Sequence, residues 1–104
     1  MTDNANNKKI TKSPCVYILR CSDDSLYTGW TSDIKKRLIT HNCGRGAKYT
    51  RSRLPVVLVY AEMVDSRSEA LKREAAIKKL TRAAKLELIS SALNQIARVP
   101  DVDD

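Results

Sequence analysis

Residues 25–41 read SLYTGWTSDIKKRLITH, and how this stretch is parsed decides the fold. Its first part, Leu26-Tyr27-Thr28-Gly29-Trp30-Thr31, has the aromatic and β-branched make-up of a strand. Ser32 or Asp33 then caps a helix that runs to about Asn42, with Gly44 as its stop. The chain's only histidine and only tryptophan both lie in this stretch, beside a tyrosine and a glycine.

Working outward, Pro14 to Cys21 (PCVYILRC) is a short apolar run suited to a strand covered on both faces. Cys21-Ser22-Asp23-Asp24-Ser25 is turn chemistry, so the two strands form a hairpin. Arg45 to Leu54 reads as a basic loop carrying Gly46, and Pro55 opens a third strand, PVVLVYAEM. Ser66-Arg67-Ser68-Glu69 is a capping box that starts a helix through Leu80. Thr81 caps another, in which Leu86, Ile89, Leu93 and Ile96 keep helical spacing until Pro100. The order β-β-α-β-α-α implies an α+β fold, a small three-stranded antiparallel sheet flanked by helices. Residues 1–13 read as a disordered tail, 14–97 as one domain and 98–104 as an acidic tail.

At 104 residues there is room for a single domain, and 42% hydrophobic content allows a modest core. The formal charge of +7 favours a polyanionic partner, most simply nucleic acid. Between Ile34 and Val59 there is no acidic residue, whereas Lys35, Lys36, Arg37, Arg45, Lys48, Arg51 and Arg53 all occur. A solvated face normally mixes signs, so this segment reads as a footprint for phosphates, with Tyr49 and Trp30 available to stack on bases or to pack in the core. Cys15, Cys21 and Cys43 include no CxxC pair. Cys15 and Cys21 on one strand would stand roughly 20 Å apart, beyond disulfide reach. Three scattered cysteines and one histidine make a poor zinc set, so buried free thiols in a reducing cytoplasm are expected. The start, MTDNANNKKITKS, is too polar for a secretory leader, and no apolar run approaches membrane-spanning length.

Two helices break their own patterns. On a wheel of about 100° per residue, Ile34 and Leu38 point inward, Arg37 and His41 flank that stripe, and Lys35 and Lys36 turn to water. Arg37 could pack its methylenes there, and His41 could be a hydrogen-bonded structural group. In the next helix Ala70, Leu71, Ile77 and Leu80 define an inward face with Glu74 in its middle. A carboxylate so placed needs a cation, because desolvating it alone costs several kcal/mol. Either Arg37 supplies a buried ion pair, or Glu74 holds a metal ion.

With these residues in view, the sequence resembles a GIY-YIG nuclease domain over roughly Pro14 to Ile89. Cys15-Val16-Tyr17 stands where that family has Gly-Ile-Tyr, and Tyr27-Thr28-Gly29 where it has Tyr-Ile-Gly. Arg37 follows Tyr27 by ten residues and His41 follows Arg37 by four, a spacing the family shares. Glu74 matches the family's metal-binding glutamate. The loop HNCGRGAKYTRSRLP resembles the basic loop of the family's structure-specific branch, although that branch's zinc-binding RING module is absent. The small single-domain YhbQ-like bacterial proteins are the most similar group. In two places the pattern departs: Cys15 replaces the leading glycine, and the asparagine that many members carry after the metal-binding helix has no aligned counterpart, Asn94 lying too far along.

The resemblance implies a metal-dependent endonuclease acting on DNA, in repair or processing, at branched, nicked or single-stranded forms. In it Glu74 would bind Mg²⁺ or Mn²⁺, Arg37 would stabilise the transition state, and Tyr17, Tyr27 and His41 would position and deprotonate water. Gly29 would let the backbone pass close to substrate or a neighbouring strand. Trp30, Lys36, Arg45, Lys48, Tyr49, Arg51 and Arg53 would contact the nucleic acid. A protein partner could supply the substrate preference that relatives draw from attached domains. For both tyrosines to reach one site, the hairpin needs an odd turn, such as Ser22 to Asp24 with Cys21 opposite Ser25, or a bulge of equal effect. Two other functions compete: a nucleic-acid-binding module with weak or no catalysis, and a protein-interaction adaptor in which Arg37 and Glu74 form a plain core ion pair.

Overall fold

The computed structural model describes residues 12–99. Three strands, β1 (Cys15–Arg20), β2 (Leu26–Thr31) and β3 (Val57–Met63), form an antiparallel sheet in the order β2-β1-β3. The helices are α1 (Ile34–Asn42), the single turn α2 (Lys48–Arg51), α3 (Arg67–Lys78) and α4 (Arg82–Ile89), followed by a 3₁₀ turn at Ile96–Arg98. The α+β architecture and element order follow the expectation from sequence, except that the basic loop contains α2.

The apolar run of β1 makes it the central strand, buried on both faces. Cys15, Tyr17 and Leu19 face one layer with Ile34, Leu38, Val56, Ala61 and Val99. Val16 and Ile18 face the other with Tyr60, Ala70 and Ile77, against which Leu88 and Ile89 pack. Each fully buried aliphatic side chain here contributes about 1.5–3 kcal/mol. A bulge in β3 leaves Val59 unmatched between Leu58 and Tyr60, which switches Leu58 to the face of Leu19.

The hairpin closes through the odd turn. Cys21 N–H donates to Ser25 O at 2.9 Å, leaving Ser22, Asp23 and Asp24 as the loop, with Asp24 left-handed at φ 71°. The Asp23 carboxylate accepts from Ser25 N at 3.0 Å and Ser25 Oγ at 2.6 Å. Leu19 therefore stands opposite Tyr27, and Tyr17 opposite Gly29, on one face.

Asp33 caps α1 by accepting from Lys36 N at 3.1 Å. Gly44, at φ 80°, ends it, with Gly44 N–H bonded to His41 O at 3.0 Å and Arg45 N–H to Thr40 O at 3.1 Å. Ser66 and Thr81 cap α3 and α4 through Glu69 N and Ala84 N. On α3 the inward positions are Ala70 and Ile77, whereas Leu71 is exposed because the helix touches the sheet along a narrower stripe than the wheel suggested. The helix ends at Lys78, two residues short of the expected Leu80, which lies exposed in the turn after it. Arg73 instead reaches Glu62 on β3 with Nε–O distances of 3.0 and 3.1 Å, and the buried Tyr60 hydroxyl donates to the same carboxylate.

The apolar spacing from Leu86 to Ile96 does not continue as helix. Beyond Ile89 the chain turns to the free edge of β3 instead, chiefly through the side chains of Asn94 and Gln95. Asn94 donates to Val59 O and Ile89 O at 2.9 and 2.8 Å and accepts from Ala61 N and Ile96 N at 3.2 and 3.0 Å. Gln95 N–H donates to Ala61 O at 2.7 Å, and its side-chain oxygen accepts from Met63 N at 2.6 Å. The clamp covers a sheet edge that would otherwise be open for pairing. All three cysteines are free: Cys15 and Cys21 are buried as expected, but Cys43 is exposed at the end of α1. Of the tails expected at 1–13 and 98–104, all but Lys12, Ser13, Arg98 and Val99 lie outside the described residues, and the buried Val99 belongs to the core.

Asn94→Ala is expected to lower unfolding free energy in urea by about 1–3 kcal/mol by orphaning the strand-edge groups. Leu93→Ser, at a position 54% exposed, should change it by less than about 0.5 kcal/mol.

Candidate active site

Tyr17 leaves β1 and crosses over β2 at Gly29. A Cβ on Gly29 would lie 2.6 Å from the Tyr17 hydroxyl and 2.8 Å from Cζ, so only the missing side chain allows the ring to lie there. The hydroxyl then meets His41 Nε2 of α1 at 2.9 Å. His41 is fully buried. Its Nδ1 stands 2.9 Å from Thr50 Oγ1 of α2, and Thr50 Oγ1 stands 2.9 Å from Ala47 O. A Cβ on Gly46 would overlap His41 Nδ1, so the loop closes directly on the imidazole.

Tyr27 projects on the same face, its ring edge-on to His41 at 5.6 Å and stacked on Tyr49 at 6.0 Å. The Arg53 guanidinium lies 3.8 Å from the Tyr49 ring centre, pairs with Asp23 at 3.0 Å and donates to Tyr49 O at 2.8 Å. This ladder ties the basic loop to the hairpin turn.

Arg37 projects from α1 at an exposed position, and no hydrogen bond or ion pair engages its guanidinium among the described residues. Glu74, on α3 beneath the opposite face, reaches the same edge of β2. Tyr17, Tyr27, Gly29, Trp30, Thr31, Ser32, Arg37 and Glu74 together line an open cleft of about 280 Å³. The Arg37–Glu74 core ion pair considered from sequence does not form: the Glu74 carboxylate pairs with Lys78, 3.4 Å away on the same helix, and its side chain is 18% exposed. Two phenols, a guanidinium and a carboxylate thus meet in one cleft, with the imidazole directly behind Tyr17.

Burial, reinforced by Tyr27, pushes the Tyr17 phenol well above its ordinary value of 10, against a smaller opposing pull from Arg37. Burial first and Arg37 second hold His41 below its ordinary 6.5, so the imidazole is neutral at pH 7. Burial also raises the Cys15 thiol to about 12, which makes it an inert packing group.

The residues expected to touch nucleic acid divide. Lys36, Arg45, Lys48 and Arg51 are exposed, and Tyr49 is 39% exposed. Arg53 is committed to Asp23 and Tyr49. Trp30 is half-buried against the second core cluster, with the Arg67 guanidinium 5.6 Å from its ring, and it borders the cleft. Sequence reasoning missed Thr50 and Gly46 as partners of His41. No local pattern marks either one, because the contact exists only once α2 folds back on α1.

A family model described as the GIY-YIG catalytic domain matches residues 13–87. The chain belongs to the GIY-YIG family, and so to a superfamily of nucleases. Its relatives include UPF0213 proteins. That of Syntrophus aciditrophicus is 68% identical over 75 residues, covering 71% of this chain and 86% of its own. UPF0213 protein SAG0778 of Streptococcus agalactiae is 55% identical over 80 residues, covering 77% and 91%. The solution NMR structure of UPF0213 protein BH0048 from Bacillus halodurans, 41% identical, matches 82% of this chain and 90% of its own with a TM-score of 0.52. Protein EF2693 of E. faecalis, also solved by NMR, is 45% identical and matches 79% and 88% with a TM-score of 0.54. Among the described residues no helix is long and apolar enough to cross a membrane.

Gly29→Ala should displace Tyr17, break its bond to His41 and destabilise the fold by about 1–3 kcal/mol in urea unfolding. His41 gives a separate pH signature. Its folded-state pKa is depressed, so the stability present above the unfolded value near 6.5 is lost as pH falls toward the folded value. Urea unfolding at pH 7.5 and 5.5 should show this loss, at no more than about 1.4 kcal/mol per pH unit from this group.

Proposed function

We propose that the protein is a metal-dependent endonuclease that hydrolyses DNA phosphodiester bonds, with branched, nicked and single-stranded forms as its preferred substrates. The observation that carries this reading is the Tyr17–His41 hydrogen bond at the back of a cleft bordered by an acidic group and by Arg37, whose guanidinium is paired with none of the described residues. The pair sets a proton acceptor directly behind a phenol that lines the cleft, an arrangement that binding alone does not require.

In this reading a phosphate seats between Arg37 and Glu74. The planar fork of Arg37 donates to the nonbridging oxygens and stabilises the charge that grows as the phosphorus takes on a fifth oxygen. The attacking water gives a proton to the Tyr17 hydroxyl oxygen as the phenol proton moves to His41 Nε2. The P–O bond to water forms, the bond to the departing sugar oxygen breaks, and solvent protonates that oxygen. The two-step transfer avoids a free tyrosinate, which burial disfavours. Tyr27 holds the water's other side.

Glu74 is the residue that would hold Mg²⁺ or Mn²⁺. No cluster of three or more histidine, cysteine, aspartate or glutamate residues exists among the described residues, which suits an ion held by one carboxylate, water and the substrate phosphate. Such an ion, when bound, neutralises phosphate charge and stabilises the leaving oxygen. Lys36, Arg45, Lys48 and Arg51 track the backbone, and the exposed part of Tyr49 stacks on an unpaired base. A soluble site in the cytoplasm and a role in DNA repair accord with this reading, and a protein partner could narrow the substrate.

The test is a panel of duplex, flap, fork, junction and single-stranded DNA with Mg²⁺ or Mn²⁺. Glu74→Gln and Arg37→Ala should each slow cleavage by about 10² or more, while unfolding free energy moves by less than about 1 kcal/mol. Cleavage that survives both changes, or salt-dependent binding with no cleavage of any substrate, would reject the assignment.

A further inference from the structure

We propose that Thr50 is a positioning residue that fixes His41 as its Nδ1–H tautomer, leaving Nε2 free to take the Tyr17 proton. The inference rests on the proton relay proposed above.

The argument follows the protons through three contacts. Thr50 Oγ1 and Ala47 O are 2.9 Å apart, and two oxygens at that distance need a proton between them. A carbonyl has none, so the Thr50 hydroxyl donates. Its proton is thereby spent, and the 2.9 Å contact from Thr50 Oγ1 to His41 Nδ1 must be bridged by a proton on Nδ1. Neutral imidazole carries one N–H, so Nε2 is bare and accepts from the Tyr17 hydroxyl at 2.9 Å. The direction of the whole chain is set at the Ala47 carbonyl.

The surroundings leave this task to Thr50. It is fully buried, and no carboxylate is hydrogen-bonded to the imidazole among the described residues. Tyr17 and Tyr27 meet the ring edge-on, and among the described residues no hydrogen bond other than that of Thr50 Oγ1 engages Nδ1. A carboxylate in this place would both orient the ring and raise its proton affinity, whereas a hydroxyl orients it alone. With the opposite tautomer, Nε2–H would point at Tyr17, and the phenol proton would have no acceptor.

Because His41 is the chain's only histidine, ¹⁵N-histidine labelling reports one ring without assignment. At pH 7.5 the wild-type protein is expected to show a protonated Nδ1 and a bare Nε2. Thr50→Val, which keeps the branched shape and removes the oxygen, should give the Nε2–H form or an averaged mixture. Its kcat for DNA cleavage should fall about ten-fold or more while KM stays within about two-fold. Thr50→Ser should restore both the tautomer and most of the rate. A bare Nδ1 in the wild type, or Nδ1–H retained in Thr50→Val, would overturn the proposal. If Thr50→Val fails to fold, Thr50→Ala takes its place in the same measurement, and a bare Nδ1 in the wild type overturns the proposal without any variant. Since the spectrum needs no substrate, the expected tautomer shift in a protein that cuts no DNA would sink the nuclease reading and leave the role of Thr50 standing. Active protein without the shift would do the reverse.

Discussion

The site depends on a side chain that is not there. Tyr17 can reach His41 only because Gly29, its partner across the hairpin, leaves the space above β2 empty. Three conditions must hold together for that contact. The strands must pair antiparallel in this register, the turn must contain an odd number of residues, and the position opposite Tyr17 must lack a Cβ. A register slip of one residue would send either phenol to the far face of the sheet. Asp24 in a left-handed conformation and the Asp23 carboxylate bonded to Ser25 hold the turn that prevents the slip.

The two layers of the fold then bring opposite charges to one edge. Because β1 is buried on both sides, α1 and α3 lie on opposite faces, and Arg37 and Glu74 start from different layers. They meet only at the margin of β2, where the cleft opens. Separation by the sheet keeps them from neutralising one another as a core ion pair and leaves both available to a ligand. Glu74 is instead partnered by Lys78, a half-exposed side chain on its own helix, a pairing worth only a few tenths of a kcal/mol and easily exchanged.

The segment after α1 serves the surface and the interior at once. Arg45, Lys48 and Arg51 face solvent, while Gly46 and Thr50 close over the histidine. Tyr49 stacks on Tyr27, and Arg53 lies over Tyr49 and pairs with Asp23, which anchors the segment to the hairpin turn.

The strands, the caps at Asp33, Ser66 and Thr81, the stop at Gly44 and the inward turn of Ile34 and Leu38 were all legible before folding was considered. Those features are set by residues within a few positions of one another, so periodicity and turn chemistry are enough to see them. The family pattern also marked Tyr17, Tyr27, Arg37, His41 and Glu74 as belonging together. Long-range packing settled the remaining features. The helix begun at Thr81 stops at Ile89 because Asn94 and Gln95 find better hydrogen-bond partners on β3 than a further helical turn offers. Leu71 is exposed because contact with a twisted sheet is narrower than a helical wheel implies, and Leu80 because α3 has already ended at Lys78. Thr50 acquires its place beside His41 from the fold of α2, since a hydroxyl's proton is directed by whichever carbonyl lies within reach, and that distance is written in no local stretch of sequence.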